Sequence, residues 1–569
     1  MKEYIVTLIN FNDSDGFYED METEGGLITI PDRVVEVSNR RPISRNTHYM
    51  LTEEEAEQVR NDPRVLDVEL KPVDGMVTNV PSWTQTSSHF DKTTTVDGND
   101  VNWGLLRCTL GSDISGWGSD GTAAQTATVS TTSSGKDIDV VIVDGHIDPA
   151  HPEFAVNDDG TGGTRVVQYN WYQHTPAVTG GASGTYPYPT SSDWSCGNDN
   201  HGMHCAGTVA GNRQGWARDA NIYNITPYSY SGVNLIHGTY SNYADYNDAS
   251  NNTFDYLREF HKNKPVNPST GRKNPTVTNN SWGSSVSISR SDLRYVVYRG
   301  SVQQPASLGN PTDAELDSWG LVDHMFSSIT FQYYTTANVA DVEDAIADGV
   351  IIVSAAGNDS TKIATSEDPD YNNIINFNYG NNTYSLYYHR GSWNCVAGNG
   401  ICVGSVDKTT GDYKATYSNS GTRVDIYAPG TAIQSSVHDG TSEFGSGVIT
   451  LDTSDDPRDN TKKLNKFQGT SMASPQVCGV LACALEHNPN MTQQECVDYL
   501  QHHSTKDQMT VSGTDSDYTN PRTLHTGNNF YLYYNKERKE DGAVSPILSN
   551  KARPESGVVF PRVRNRVYA

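Results

Sequence analysis

A chain of 569 residues is long enough to bury a large core. Its 35% apolar and 19% charged residues exclude a disordered or fibrous chain. The net charge of −27 excludes a general nucleic-acid binder, since a polyanion would be repelled over most of the surface, and no run approaches the ~18 apolar residues that span a bilayer.

The first residues, MKEYIVTLINFNDSDGFYED, lack the apolar stretch and small-residue cleavage site of a signal peptide. A cytoplasmic or virion-associated location is therefore favoured over secretion. Alternation at Tyr4, Val6 and Leu8 predicts a strand over Tyr4–Asn10. A polar, hairpin-like stretch follows. Thr52, with Glu55 three residues on, forms a capping box that opens a helix over Glu53–Asn61. Val65, Leu66, Val68 and Leu70 then predict a strand, so residues 1–80 read as a small α+β unit. Residues 81–135, rich in Ser, Thr, Gly and Asp, have linker chemistry, interrupted by VNWGLLRC.

Residues 136–502 alternate buried strands with amphipathic helices. IDVVIVD (138–144), NPTVTNNSWG (274–283) and GVIIVSAAGN (349–358) read as central parallel strands. Ala340–Asp348 reads as a helix with Val342, Ala345 and Ile346 as its stripe. The predicted fold is α/β, a doubly wound, mostly parallel sheet with helices on both faces. Polar inserts at 177–200, 228–270, 284–338, 360–394 and 437–464 read as surface decoration with no separate domain. Residues 503–569 read as an irregular tail with a basic end, and a solvated tail is favoured over a docking tail.

The eight cysteines are too sparse for a disulfide scaffold, and no CxxC suggests a zinc ribbon. Cys478 and Cys483 read as buried thiols. Cys395 and Cys402 either close a small loop or stay apart.

The chemistry lies at strand ends and helix starts. Asp144 ends IDVVIVD, where a carboxylate can orient a histidine or cap a turn. His201, in DNHGMHCAGTVAG, opens a helix whose Gly202 and Gly207 let another backbone approach. His204, one turn on, reads as a structural histidine. In GTSMASPQVCGVLACALEH, Gly469-Thr470 make a tight turn and Ser471 opens a buried helix whose dipole favours developing negative charge. Pro475 is read as lying in the first turn, where no donor is lost. Asn358, after a buried strand and a glycine, can donate its amide to an oxyanion. Each residue alone also fits a local capping or turn role. Together they supply a nucleophile (Ser471), a base (His201), an orienter (Asp144) and an oxyanion donor (Asn358).

These blocks resemble the subtilisin-like serine proteases, in the chain order Asp, His, Ser. The motifs are VVIVDGHIDPAHPEF, HGMHCAGTVAG, AAGN and GTSMASPQVCGVLA, and the cysteine after the histidine is similar to that of the proteinase K branch. The resemblance implies a serine endopeptidase whose hydrolysis requires no cofactor, with structural calcium common in the family but not located here. It implies polypeptide substrates bound as an added strand along Ser281, Trp282 and Gly283 and along Ala355, Ala356 and Gly357. It implies no nucleic-acid or membrane partner. Trp282 either shapes the pocket or covers the sheet.

Residues 1–80 resemble the family's inhibitor-like propeptide, which makes the chain a zymogen with its own intramolecular inhibitor. The stretch after Pro72 is then expected to run through the active site, with processing between about 73 and 100 and the mature enzyme starting within 81–135. Two features depart from the family pattern. Gly145 stands where a hydroxyl usually braces the aspartate, and His146 is unusual. The competing reading is a catalytically weak binding or structural protein on the same fold, such as a virion component.

Overall fold

The computed structural model describes residues 1–23, 34–70, 77–78, 83–84, 103–112, 131, 133–179, 200–226, 233–234, 238–239, 243–325, 327–396, 400–408, 411–438 and 454–534. The basic end, most of 81–135 and parts of the inserts 177–200, 228–270 and 437–464 lie outside these residues.

Asp139–Val143 is buried at every position and its last four residues are all β-branched, as in a strand covered on both faces. It lies within an eight-stranded sheet. The order runs Thr505–Lys506, Phe530–Tyr531, Ile426–Pro429, Ile401–Val406, Val350–Ala355, Thr276–Asn280, Asp139–Val143, Asn221–Ile225. All neighbours are parallel except the pair Thr505–Lys506 and Phe530–Tyr531. Successive side chains go to opposite faces. Val140 and Ile142 enter the core that holds helices Asn200–Ala210 and Thr470–His487. Val141 and Val143 enter the core that holds Phe254, Leu257, Val342 and Ala345, from helices Tyr243–Asn263 and Thr336–Ala347. The doubly wound α/β architecture expected from the sequence is the one observed. Among the described residues no helix is long and apolar enough to cross a membrane.

Residues 1–70 form a four-stranded antiparallel sheet in the order Glu36–Arg40, Asn46–Leu51, Lys2–Leu8, Val65–Leu70. Helices Ser14–Glu22 and Glu53–Arg60 belong with it. The Thr52–Glu55 capping box forms as predicted. The polar stretch read as hairpin-like holds a helix near its start, and at its end Glu36–Arg40 pairs antiparallel with Asn46–Leu51. Phe17 and Met21, one turn apart, are the helix's buried stripe, too sparse to stand out among the acids. A buried salt bridge ties this unit to the helices beside the central sheet. Arg41 reaches Asp255 at 2.8 Å and Asp341 at 2.7 Å. Glu69 Oε2 accepts the Ala337 N–H at 3.0 Å, at the start of helix Thr336–Ala347.

Two further readings are corrected. The inserts 284–338 and 360–394 are not mere decoration. Gly283–Ser289 pairs with Ser328–Gln332, and Leu293–Tyr298 with Ile374–Tyr379, around their own apolar core of Val286, Leu293, Phe331 and Phe377. Their apolar residues alternate with Ser, Thr and Asn, so a one-sided sheet looks polar on average. Residues 503–534 are not wholly irregular either. Phe530–Tyr531 extends the central sheet, and Tyr531 stacks over the buried Arg107 at 3.9 Å. VNWGLLRC, within the presumptive linker, supplies the buried helix Trp103–Leu110 that carries Arg107. Seven of the cysteines, Cys395 and Cys402 among them, are buried free thiols, and Cys196 lies outside the described residues.

Candidate active site

Asp144 follows strand Asp139–Val143 and is fully buried. Its Oδ1 accepts the Gly145 N–H at 2.7 Å and lies 2.7 Å from His201 Nδ1. A backbone donor thus braces the carboxylate where the sequence lacks the usual hydroxyl. Asn224, from the neighbouring strand, fixes this turn by donating to Ile142 O and Gly145 O, both at 3.0 Å. The glycine at 202 is required here. A Cβ on it would sit 2.3 Å from Gly145 O, so a side chain would push the histidine helix off the aspartate turn. His146 is also buried.

His201 is the second residue of helix Asn200–Ala210. His204 points elsewhere. It is fully buried, Nε2 donates to Ile433 O at 2.7 Å, and the ring stacks on Phe467. Burial pushes its pKa down to about 3, so it is a neutral packing residue. Cys205, one turn beyond His201, lies with its Sγ 3.4 Å from the Ser471 carbonyl, which brings the histidine helix against the serine. Asp144, His201 and Cys205 form the one cluster of three potential metal ligands found among the described residues. The facing atoms of Asp144 and His201 are engaged with each other.

Gly469, at φ +152°, makes the turn into helix Thr470–His487, and Ser471 is its second residue. Pro475 is the sixth residue of this helix, not in its first turn. Its missing N–H is the one that would have bonded the Ser471 carbonyl. Ser281 Oγ donates to that carbonyl at 2.9 Å, and the Cys205 thiol approaches it. The proline therefore frees an acceptor that two other segments use to fix the serine. Ser471 Oγ in turn donates to Ser281 O at 3.2 Å.

Asn358 lies just beyond strand Val350–Ala355. Its Oδ1 accepts both the N–H and the hydroxyl of Thr470, each at 2.8 Å, so the side-chain amide is oriented with Nδ2 as its donor. The sequence reasoning passed over Thr470 in this role, although it stands next to Ser471 in the motif.

Of the expected substrate-binding residues, Ser281 touches Ser471 directly. Trp282 is buried, packs edge-to-face on Trp393 with centroids 4.9 Å apart, and covers the sheet. Gly283 pairs with Thr78, and Ser284 with Val77, in antiparallel register. Gln468, three residues before Ser471, pairs with Trp83, and Phe467 pairs with Thr84. Ala355, Ala356 and Gly357 end strand Val350–Ala355 beside Asn358, and the Gly357 N–H donates to Thr470 Oγ1 at 3.1 Å.

Residues 135–522 match the family model Peptidase_S8, described as "Subtilase family". Among curated proteins, the chain is 26% identical over 310 residues to "Subtilisin-like protease 8" of Trichophyton verrucosum, covering 54% of this chain and 42% of that protein. It is 27% identical over 171 residues to "Subtilisin E" of Bacillus subtilis, covering 30% and 32%. It spans less than half the length of either relative. Among solved structures it is similar to fervidolysin from Fervidobacterium pennivorans, described as a keratinolytic enzyme related to subtilisin, at 16% identity and TM-score 0.45, covering 94% of this chain and 60% of that one. It is also similar to a cold-adapted subtilisin-like serine proteinase, at 19% identity and TM-score 0.39, covering 76% and 98%. The chain belongs to the subtilase family.

Proposed function

We propose that this subtilase is a serine endopeptidase made as a self-blocked zymogen. The observation that carries the reading is the 2.7 Å contact between His201 Nδ1 and Asp144 Oδ1, on a helix packed against Ser471. Nδ1–H donates to the carboxylate, which leaves Nε2 as the base. His201 takes the Ser471 proton as Ser471 Oγ attacks the substrate carbonyl. Asn358 Nδ2 and the Ser471 N–H at the helix start hold the resulting oxyanion. His201 then protonates the leaving amine, and water hydrolyses the acyl-enzyme by the same route. No step draws on a cofactor. Structural calcium, expected from the resemblance, would support the fold and not the chemistry.

Polypeptide substrates add as a strand to the edge of Gly283–Ser284, supported by the pairing that Val77–Thr78 makes there. Residues 1–80 act as the inhibitor-like propeptide. Support comes from the Arg41 salt bridge and from the pairing of Val77–Thr78 with Gly283 and Ser284. The remaining segments of the reading are a linker and start of the mature enzyme at 81–135, a catalytic domain at 136–502 and a C-terminal tail at 503–569.

The reading is tested by casein hydrolysis with the chain freed of residues 1–80 and with its Ser471→Ala variant. Hydrolysis by the wild type and its loss by a factor of ~10⁶ in the variant are expected. Equal hydrolysis by both overturns the reading.

A further inference from the structure

We infer that Asp359 and Asp323, with Gln332, select a lysine or arginine side chain at the residue immediately before the bond that is cut. The inference rests on the endopeptidase reading above and specifies its substrate class.

The carbonyl that Asn358 polarises belongs to that residue, so its side chain leaves the backbone next to Ala355, Ala356 and Gly357. The groups gathered there are acidic and amide. Asp359 directly follows Asn358 and is only half-buried. Its Oδ2 lies 3.4 Å from Asn419 Nδ2, and the same amide donates to Ala356 O at 2.9 Å. The opposite wall is strand Ser328–Gln332, paired with Gly283–Ser289 so that Gln332 lies opposite Ser285. Gln332 and Thr330 point to one face of that strand. Asp323 accepts the Thr330 N–H on its carbonyl at 2.8 Å, so it lies across from Thr330 and shares that face. A Cβ on Gly357 would lie 2.1 Å from Gln332 Nε2 and 2.4 Å from Asn419 Nδ2. Both amides therefore press against the one residue of this wall that has no side chain.

Three demands remain unmet in this cluster. Burial first and then Asp323 push the Asp359 carboxyl up to about 7, and burial raises Asp323 as well. Among the described residues neither carboxylate forms an ion pair with Lys or Arg. Gln332 is 3% exposed, and its Oε1 has no hydrogen-bond partner among the described residues. Such an acceptor and such charges are costly without donors and a counter-charge. A ligand group that carries a positive charge and several N–H donors meets all three demands at once. Lysine and arginine do so on stems long enough to extend beyond the backbone. A leucine meets none, and a glutamate adds a third negative charge. The chain's own residues 79–82, Asn-Val-Pro-Ser, carry no such group. The preference is therefore directed at other polypeptides.

The test uses fluorogenic peptides identical except for Lys, Arg, Leu or Glu before the scissile bond, with the self-processed chain, separated from its cut N-terminal unit, as enzyme. The kcat/KM for Lys and Arg is expected to exceed that for Leu by about tenfold or more. Asp359→Asn should lower the Lys-to-Leu ratio about tenfold, Asp359→Glu should preserve it, and Asp359→Lys should move the preference to Glu. These ratios do not depend on the folded fraction of each variant. A wild-type ratio near one, or a ratio unmoved by Asp359→Asn, overturns the inference while leaving the endopeptidase reading intact. No hydrolysis of any peptide together with no labelling by a fluorophosphonate overturns both.

Discussion

Trp83 pairs antiparallel with Gln468, three residues before Ser471, while Thr78 pairs with Gly283, two residues after the Ser281 that bonds the Ser471 carbonyl. The two paired segments, Val77–Thr78 and Trp83–Thr84, are four residues apart along the chain. The processing bond is therefore expected between Thr78 and Trp83, a much narrower interval than the 73–100 expected from sequence. N-terminal sequencing of the purified wild type should find a new terminus at one of residues 79–83, and Ser471→Ala should stay uncut there. A terminus outside that interval contradicts the placement.

Once cut, the N-terminal unit is held by contacts alone. Arg41 bridges two buried carboxylates, and removing it takes the cation from Asp341 and leaves Asp255 only the longer contact to Arg258 at 3.7 Å, at a cost of ~3–5 kcal/mol. The processed wild type should elute from gel filtration as one complex, and Arg41→Ala should separate into two components with earlier onset of activity. Co-elution in both cases contradicts this role for Arg41.

Acid should destabilise the fold through histidines that are buried in their neutral form. Burial holds His204 down to about 3, and His389 and His525 to about 4. In the unfolded chain these rings titrate near ~6.5. Below that pH the unfolded state binds protons that the folded state does not, so stability present above ~6.5 is lost as pH falls toward 4. Calorimetry on Ser471→Ala, which cannot digest itself, should show Tm falling from pH 7 to pH 5. A flat Tm over that range contradicts the account.

Trp282 should act on stability more than on selectivity. It is 1% exposed and packs against Trp393, so Trp282→Ala should cost ~3–5 kcal/mol in urea unfolding. A variant of wild-type stability with altered peptide preference would place the ring in the pocket instead.

The parts of this molecule that were legible in sequence are those with strong local patterns. IDVVIVD could only be a doubly covered strand, and Thr52 with Glu55 announced its helix. The contact of Asp144 with His201 was legible only from the residues taken together, since each alone also suits a cap or a turn. The helix around Phe17 and Met21 was hidden by its acids, and the second core by strands whose exposed faces carry Ser, Thr and Asn. Pro475, expected in the first turn, is the sixth residue of helix Thr470–His487 and so lies in its second turn. Its true position shows why Ser281 and Cys205 meet the Ser471 carbonyl. Gln332 and Asp323 lie far along the chain from Asp359, and only the pairing of Ser328–Gln332 with Gly283–Ser289 joins them to the cleft.

The central claim is that Asp144 and His201 make the Ser471 hydroxyl nucleophilic. Its most direct test is treatment of the processed chain with a fluorophosphonate, followed by mass spectrometry of the digested protein. A single adduct on Ser471 is expected, sharply reduced in His201→Ala. An unmodified Ser471, or an adduct that forms equally well without His201, would contradict it.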